Sequence, residues 1–242
     1  MDYKIFLYIL FGILPSMAWL FYYLRKDSHP EPKGMIIKIF LWGALITIPV
    51  FFIQIGMRRI LDGFELSSFT YSLIYWFLII SLTEEIFKYL VIRLRVVGSP
   101  HLDEPVDFMI YMIVAALGFA AVENVLYLFA PIEGLAFNTI VNRAVVVSII
   151  RFIGATFLHT LCSAVIGYAI AISYCDMKNK FLEIGLGIFT AVLLHGLYDF
   201  SIMTLDGYLK LAIPVATIIV LVFIVLYAFE KLKKMRGMCR IN

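Results

Sequence analysis

Seven apolar stretches, each long enough to cross a bilayer as a helix, follow one another along this chain with only short connections between them. They run Tyr3 to Leu24, Met35 to Met57, Phe69 to Ile92, Asp107 to Ala130, Phe152 to Tyr174, Phe181 to Met203 and Leu211 to Phe229. Crossing the hydrocarbon takes about 20 residues of helix, so each stretch is a candidate span. At 63% hydrophobic and 15% charged residues the chain lies outside the soluble globular range. The expected fold is all-α, a polytopic transmembrane bundle of about seven spans. No soluble domain fits in the connections, so residues 1–242 read as a single integral membrane domain whose chemistry occurs within or at the edge of the lipid.

The first stretch follows Lys4, as in a secretory signal, but it is too long and no small-residue cleavage site follows it. It reads as a retained helix. The apolar run from Ile140 to Tyr174 is too long for one span, since at helical rise it would extend about 52 Å. A break is expected near Arg151, leaving Ile140 to Ile150 as one interfacial or re-entrant helix, with Pro131, Glu133 and Gly134 marking the turn before it. Basic residues concentrate on one side, at Arg25, Lys26, Lys33, Arg93, Arg95, Lys178, Lys180 and the tail from Lys231 to Arg240. The other side holds Lys4, Arg58, Arg59, Arg143, Arg151 and Lys210. The positive-inside rule then puts the N-terminus outside and the C-terminus in the cytoplasm of a multi-pass membrane protein. The basic tail reads as a topology anchor, and nothing suggests nucleic acid.

Against this apolar background, Glu84, Glu85 and Lys88 stand in the middle of the third stretch. A charge at the bilayer centre costs at least about 2.5–3.5 kcal/mol on insertion scales, so three within five residues call for a buried site. Lys88 lies four residues after Glu84 and three after Glu85, so either carboxylate can pair with the ammonium on one helix face. The other is then free to face the bundle interior as a general base or ligand. Further polar residues in the spans are Glu123 with Asn124, His159, and His195 with Asp199, each set on its own helix. Asp199, four residues after His195, can fix that imidazole's tautomer. Carboxylates and imidazoles converging from separate helices suit a water-activating or metal-binding centre.

Each residue also has a plain structural explanation. Lys88 can snorkel to the headgroups, His159 can serve as an interhelical hydrogen-bonding residue, and Glu123 with Asn124 can be a polar pair between helices. Ala116, Ala120, Ser163 and Gly167 fit small-residue helix packing, and Cys162, Cys175 and Cys239 lack metal or redox spacing, their cytoplasmic members being expected as reduced thiols. What favours a site is that all the polar groups occur together. The chain has no H-E-x-x-H, no Glu-x-x-His pair, no histidine boxes, no G-x-S-G and no Gly-x-Gly-Asp partner for Asp199.

The run Thr83-Glu84-Glu85-Ile86-Phe87-Lys88, the stretch Gly118 to Asn124, His159, and the run His195-Gly196-Leu197-Tyr198-Asp199 resemble, in order, the four motifs of the PrsW family of bacterial intramembrane proteases. The loop through His29-Pro30-Glu31-Pro32 and the entry Asp103 to Asp107 resemble that family as well, and the resemblance covers nearly the whole chain. That family is similar to the CAAX-processing proteases, from whose pattern this chain departs at Lys88, Glu123 and Asp199. The resemblance implies a peptidase making the first cut in a membrane-anchored anti-sigma factor during envelope-stress signalling.

The expected mechanism is hydrolysis by an activated water, with Glu84 as general base and Glu85 held by Lys88. His159 and His195 either ligate zinc together with Glu123 or polarise the scissile carbonyl; Asp199 and Asn124 support them. Two other classes use the same groups: an ion-coupled transporter relaying protons through the carboxylates and histidines, and a non-catalytic membrane scaffold.

Overall fold

The computed structural model describes residues 3–26, 31–129, 137–175 and 179–235, and the described residues contain no strand. The helices are α1 (Tyr3–Lys26), α2 (Lys33–Leu61), α3 (Ser68–Leu73), α4 (Leu82–Arg95), α5 (Asp107–Phe129), α6 (Phe137–Ile153), α7 (Ala155–Cys175), α8 (Lys180–Thr204) and α9 (Leu209–Lys234). A π-helical stretch, Ile74–Ser81, joins α3 to α4 without interruption. The expected turn at Pro131, Glu133 and Gly134, the loop around His29, and the residues Lys178, Arg236, Cys239 and Arg240 lie outside the described residues.

Six helical segments among the described residues are long and apolar enough to cross a membrane: Ile5–Arg25, Lys33–Leu61, Asp107–Phe129, Val141–Cys175, Lys180–Thr204 and Leu209–Lys234. The expected third span, Phe69 to Ile92, is helical but is not one of them. Its apolar centre is flanked by Ser, Thr and Tyr on one side and by Glu84, Glu85 and Lys88 on the other. The long run before Tyr174 is interrupted at one residue, Gly154, three beyond Arg151 and between α6 and α7. The bonds from Gly154 N to Ile150 O and from Leu158 N to Gly154 O carry the helical ladder across it, so the structure does not set Ile140 to Ile150 apart as a separate interfacial helix. A side chain at Gly154 would put its Cβ 2.3 Å from the Tyr198 hydroxyl, so α8 approaches this joint closely through that side chain. Cys162 is a free buried thiol.

At the centre stands α5, buried without interruption from Asp107 to Ala121. It is packed on by α2, α7, α1 and α4. Large aliphatic and aromatic side chains on α1, α2, α8 and α9 point outward instead, Leu41, Phe52, Phe189, Leu211 and Phe223 among them. An apolar exterior around a close-packed interior is what a helix bundle in lipid requires, because tails solvate these side chains and small residues let helix backbones meet.

That close approach is tightest between α2 and α5. A Cβ on Gly118 would lie 2.0 Å from the Phe40 carbonyl oxygen, and one on Gly43 would lie 2.0 Å from that of Ala115. Both obstacles are backbone and cannot rotate away. Gly118→Ala is therefore expected to push α2 off α5 and cost about 1–3 kcal/mol, an overpacking penalty, read as a lower unfolding midpoint in detergent. An unchanged midpoint would show that the two helices are not in backbone contact.

Candidate active site

Helix α4 begins where the π-helical stretch ends, and that junction is anchored. The Ser81 hydroxyl donates to the Val192 carbonyl of α8 at 2.6 Å, and the Thr83 hydroxyl donates back to Ile79 at 2.5 Å. The first two turns of α4 are thereby pressed against α7 and α8. Glu84, Glu85 and Lys88 are all buried there. The Lys88 ammonium donates to Glu85 Oε1 at 2.8 Å, lies 3.4 Å from Glu84 Oε2, and donates to His159 Nδ1 at 2.9 Å. Its charge also sits 4.6 Å above the Phe119 ring. Lys88 therefore points into the bundle, not towards the headgroups.

The two glutamates differ in what surrounds them. Glu85 Oε1 takes both the Lys88 ammonium and His195 Nδ1, the latter at 2.8 Å, so it is fully engaged. Its Oε2 is buried with no hydrogen-bond partner among the described residues. Glu84 accepts a hydrogen bond from Gln54 of α2 on Oε1 at 3.2 Å. Its Oε2 faces both imidazoles, 3.9 Å from His159 Nδ1 and 4.0 Å from His195 Nε2. The two rings stand at 88° to each other with centroids 4.9 Å apart.

Each imidazole is oriented from behind. His159 Nε2 meets Glu123 Oε2 at 2.8 Å, and the same oxygen accepts from Arg151 Nη2 at 2.8 Å. His195 Nε2 lies 3.2 Å from Asp199 Oδ2. Asn124 donates to the Thr156 hydroxyl at 3.0 Å and accepts from Arg151 Nε. The Glu123 and Asp199 side chains are 29% and 23% exposed, whereas Glu84 and both histidines are 5% or less. The cluster thus reaches the surface at Glu123 and Asp199.

The structure brings together Glu84, Glu85, Lys88, Glu123, His159, His195 and Asp199, with Asn124 linked to Glu123 through Arg151. Among the described residues, Glu84, His159 and His195 each offer a ligand atom within 4.8 Å of the other two. One carboxylate and two imidazoles are a recognised donor set for a catalytic divalent metal with an open position, so the residues fit such an ion by donor type. Its binding would require Lys88 to release His159 Nδ1 and Asp199 to release His195 Nε2. Glu123, expected as the carboxylate ligand, is instead shared by Arg151 and His159. Three participants were not anticipated from the sequence. Gln54 is detectable as a lone amide in an apolar span. Arg151 was read as a loop charge, and Thr156 carries no signal of its own.

A bundle with an apolar exterior and a buried carboxylate and imidazole centre has the groups that hydrolysis within a membrane requires. The family model described as PrsW family intramembrane metalloprotease matches residues 31–229, and the chain belongs to that family. Protease PrsW of Oceanobacillus iheyensis is 29% identical over 225 residues, covering 92% of this chain and 93% of the relative. Protease PrsW of Clostridioides difficile is 31% identical over 198 residues, covering 80% and 78%. That of Bacillus subtilis is 27% identical over 228 residues, covering 93% and 94%. No solved structure matches this chain significantly.

Proposed function

We propose that this chain is a single-domain intramembrane endopeptidase that hydrolyses a peptide bond in a membrane-anchored protein. The observation that carries this reading is Glu84 Oε2, buried and facing two imidazoles that are themselves fixed by Glu123, Glu85 and Asp199. In the proposed role Glu84 accepts the proton of an attacking water, and His195 steadies the oxyanion that forms on the scissile carbonyl, while His159, held between Lys88 and Glu123, lines the site beside it. The proton then passes to the departing amine. Glu85 stays paired with Lys88 and holds His195.

Zinc is the proposed metal by donor type. Glu84, His159 and His195 would hold it, Glu84 then serving as ligand in place of base, and it would supply a Lewis acid that polarises the carbonyl and acidifies water. Exhaustive chelation is then expected to stop cleavage, and stoichiometric zinc restores it. Full activity in protein shown to be metal-free by elemental analysis would overturn the zinc assignment and leave Glu84 acting as base without a metal.

The proposed substrate is an anti-sigma factor with an extracytoplasmic domain, and the proposed reaction is the first cut in its degradation under envelope stress. Support comes from the four motifs and from the position of the two partly exposed carboxylates. Glu123 and Asp199 lie near the C-terminal ends of α5 and α8, away from the basic starts of α2 and α8 at Lys33 and Lys180. With the N-terminus outside and the C-terminus cytoplasmic, the cluster reaches the surface on the outer side. Co-expression with a tagged single-span anti-sigma factor should yield one membrane-bound fragment. His195→Ala should yield none, and normal cleavage by that variant would remove His195 from the mechanism.

A further inference from the structure

The four motif-bearing helices do not complete the centre by themselves. Arg151 reaches it from α6, a helix that contributes no motif residue, and it is only 8% exposed. Its guanidinium makes three contacts, all to the last turns of α5. Nη2 donates to Glu123 Oε2 at 2.8 Å, Nε donates to Asn124 Oδ1, and Cζ lies 4.6 Å from the centroid of the Tyr127 ring. Through Asn124 the link continues to Thr156 in the first turn of α7. One side chain therefore ties α6, α5 and α7 together across the Gly154 joint.

The consequence for His159 follows from donor counting. Lysine only donates, so His159 Nδ1 must accept from Lys88, and the ring proton sits on Nε2, donating to Glu123 Oε2. Glu123 Oε2 thus receives two donors, one from Arg151 and one from His159. Were the guanidinium removed, the partly exposed Glu123 carboxylate would be free to rotate towards water, and His159 would lose the acceptor that fixes its tautomer.

We propose that Arg151 is a positioning residue for His159, acting through Glu123, and that α6 belongs to the active site for this reason. The proposal rests on His159 being part of the hydrolytic centre. A lysine in place of Arg151 keeps the charge but lacks the planar fork that serves Glu123 and Asn124 at once. The two substitutions therefore separate charge balance from geometry.

The test uses the full chain in nanodiscs with 15N-labelled histidine, in wild type, Arg151→Gln and Arg151→Lys, the His159 resonances being identified by their loss in His159→Gln. Arg151→Gln is expected to move the His159 ring nitrogens and leave those of His195 in place. On the purified tagged anti-sigma reporter it should lower kcat by about 10- to 100-fold, as loss of a partner behind a catalytic histidine commonly does. KM should stay within about twofold, and Arg151→Lys should recover part of the rate. Unmoved His159 resonances in Arg151→Gln would overturn the proposal, as would a raised KM with unchanged kcat, which would make Arg151 a substrate contact. If Arg151→Gln does not fold, Arg151→Lys carries the same comparison of resonances and rates. A wild-type protein that leaves the reporter intact would count against the peptidase reading, while the resonances still decide whether Arg151 controls His159.

Discussion

Glu84→Gln is expected to lower peptide cleavage by about 10²- to 10⁴-fold, the usual contribution of a positioned general base, while leaving the bundle folded. The amide is nearly isosteric with the carboxylate, and its oxygen can still accept the hydrogen bond from Gln54. What disappears is the ability to take a proton, or to bind a cation, between His159 and His195. Rate measurement on the tagged reporter, with an unfolding curve on the same preparation, separates chemistry from stability. A variant that folds and cuts at the wild-type rate would exclude Glu84 from the mechanism.

Lys88→Met should have a different and mainly structural effect. The ammonium and the Glu85 side chain are both fully buried and 2.8 Å apart. Removing one member of such a pair leaves an uncompensated charge and costs about 3–5 kcal/mol. His159 loses its Nδ1 donor in the same step, so activity should fall together with stability. Adding Glu85→Gln to Lys88→Met neutralises the stranded carboxylate, and the double variant is expected to regain part of the unfolding midpoint. A single variant as stable as wild type would mean that Lys88 is not a buried counter-ion. The adjacent glutamates should therefore respond in opposite ways, Glu84→Gln in rate and Glu85→Gln in stability.

The membrane bundle was legible because its signal is redundant: every long apolar run is helical throughout its described residues except at Gly154. The interruption before α7 was legible for a length reason, since no bilayer accommodates an unbroken helix from Ile140 to Tyr174. Its position at Gly154 was not, because it depends on Tyr198 packing against the joint, a contact between helices far apart in sequence. The same limit applies to the site. The pairing of Lys88 with the glutamates follows from helical spacing, and so does that of His195 with Asp199. That Glu85 would hold His195, and Lys88 would hold His159, depends on how α4 meets α7 and α8. Spacing within one helix cannot reveal it. Arg151 was misassigned for a related reason: beside a predicted break it reads as an interfacial charge, and only the packing of α6 on α5 turns it inward.

The same buried carboxylates and histidines suit proton relay, the transporter reading, and the two chemistries leave different products. Purified wild-type protein, reconstituted with the tagged single-span reporter in sealed vesicles carrying a pH-sensitive dye, allows both to be read at once by fragment mass and by dye response. A single cut in the reporter, absent with Glu84→Gln and unaccompanied by proton flux, is the predicted result. An intact reporter together with proton movement that Glu84→Gln abolishes would contradict the account and make the cluster a relay.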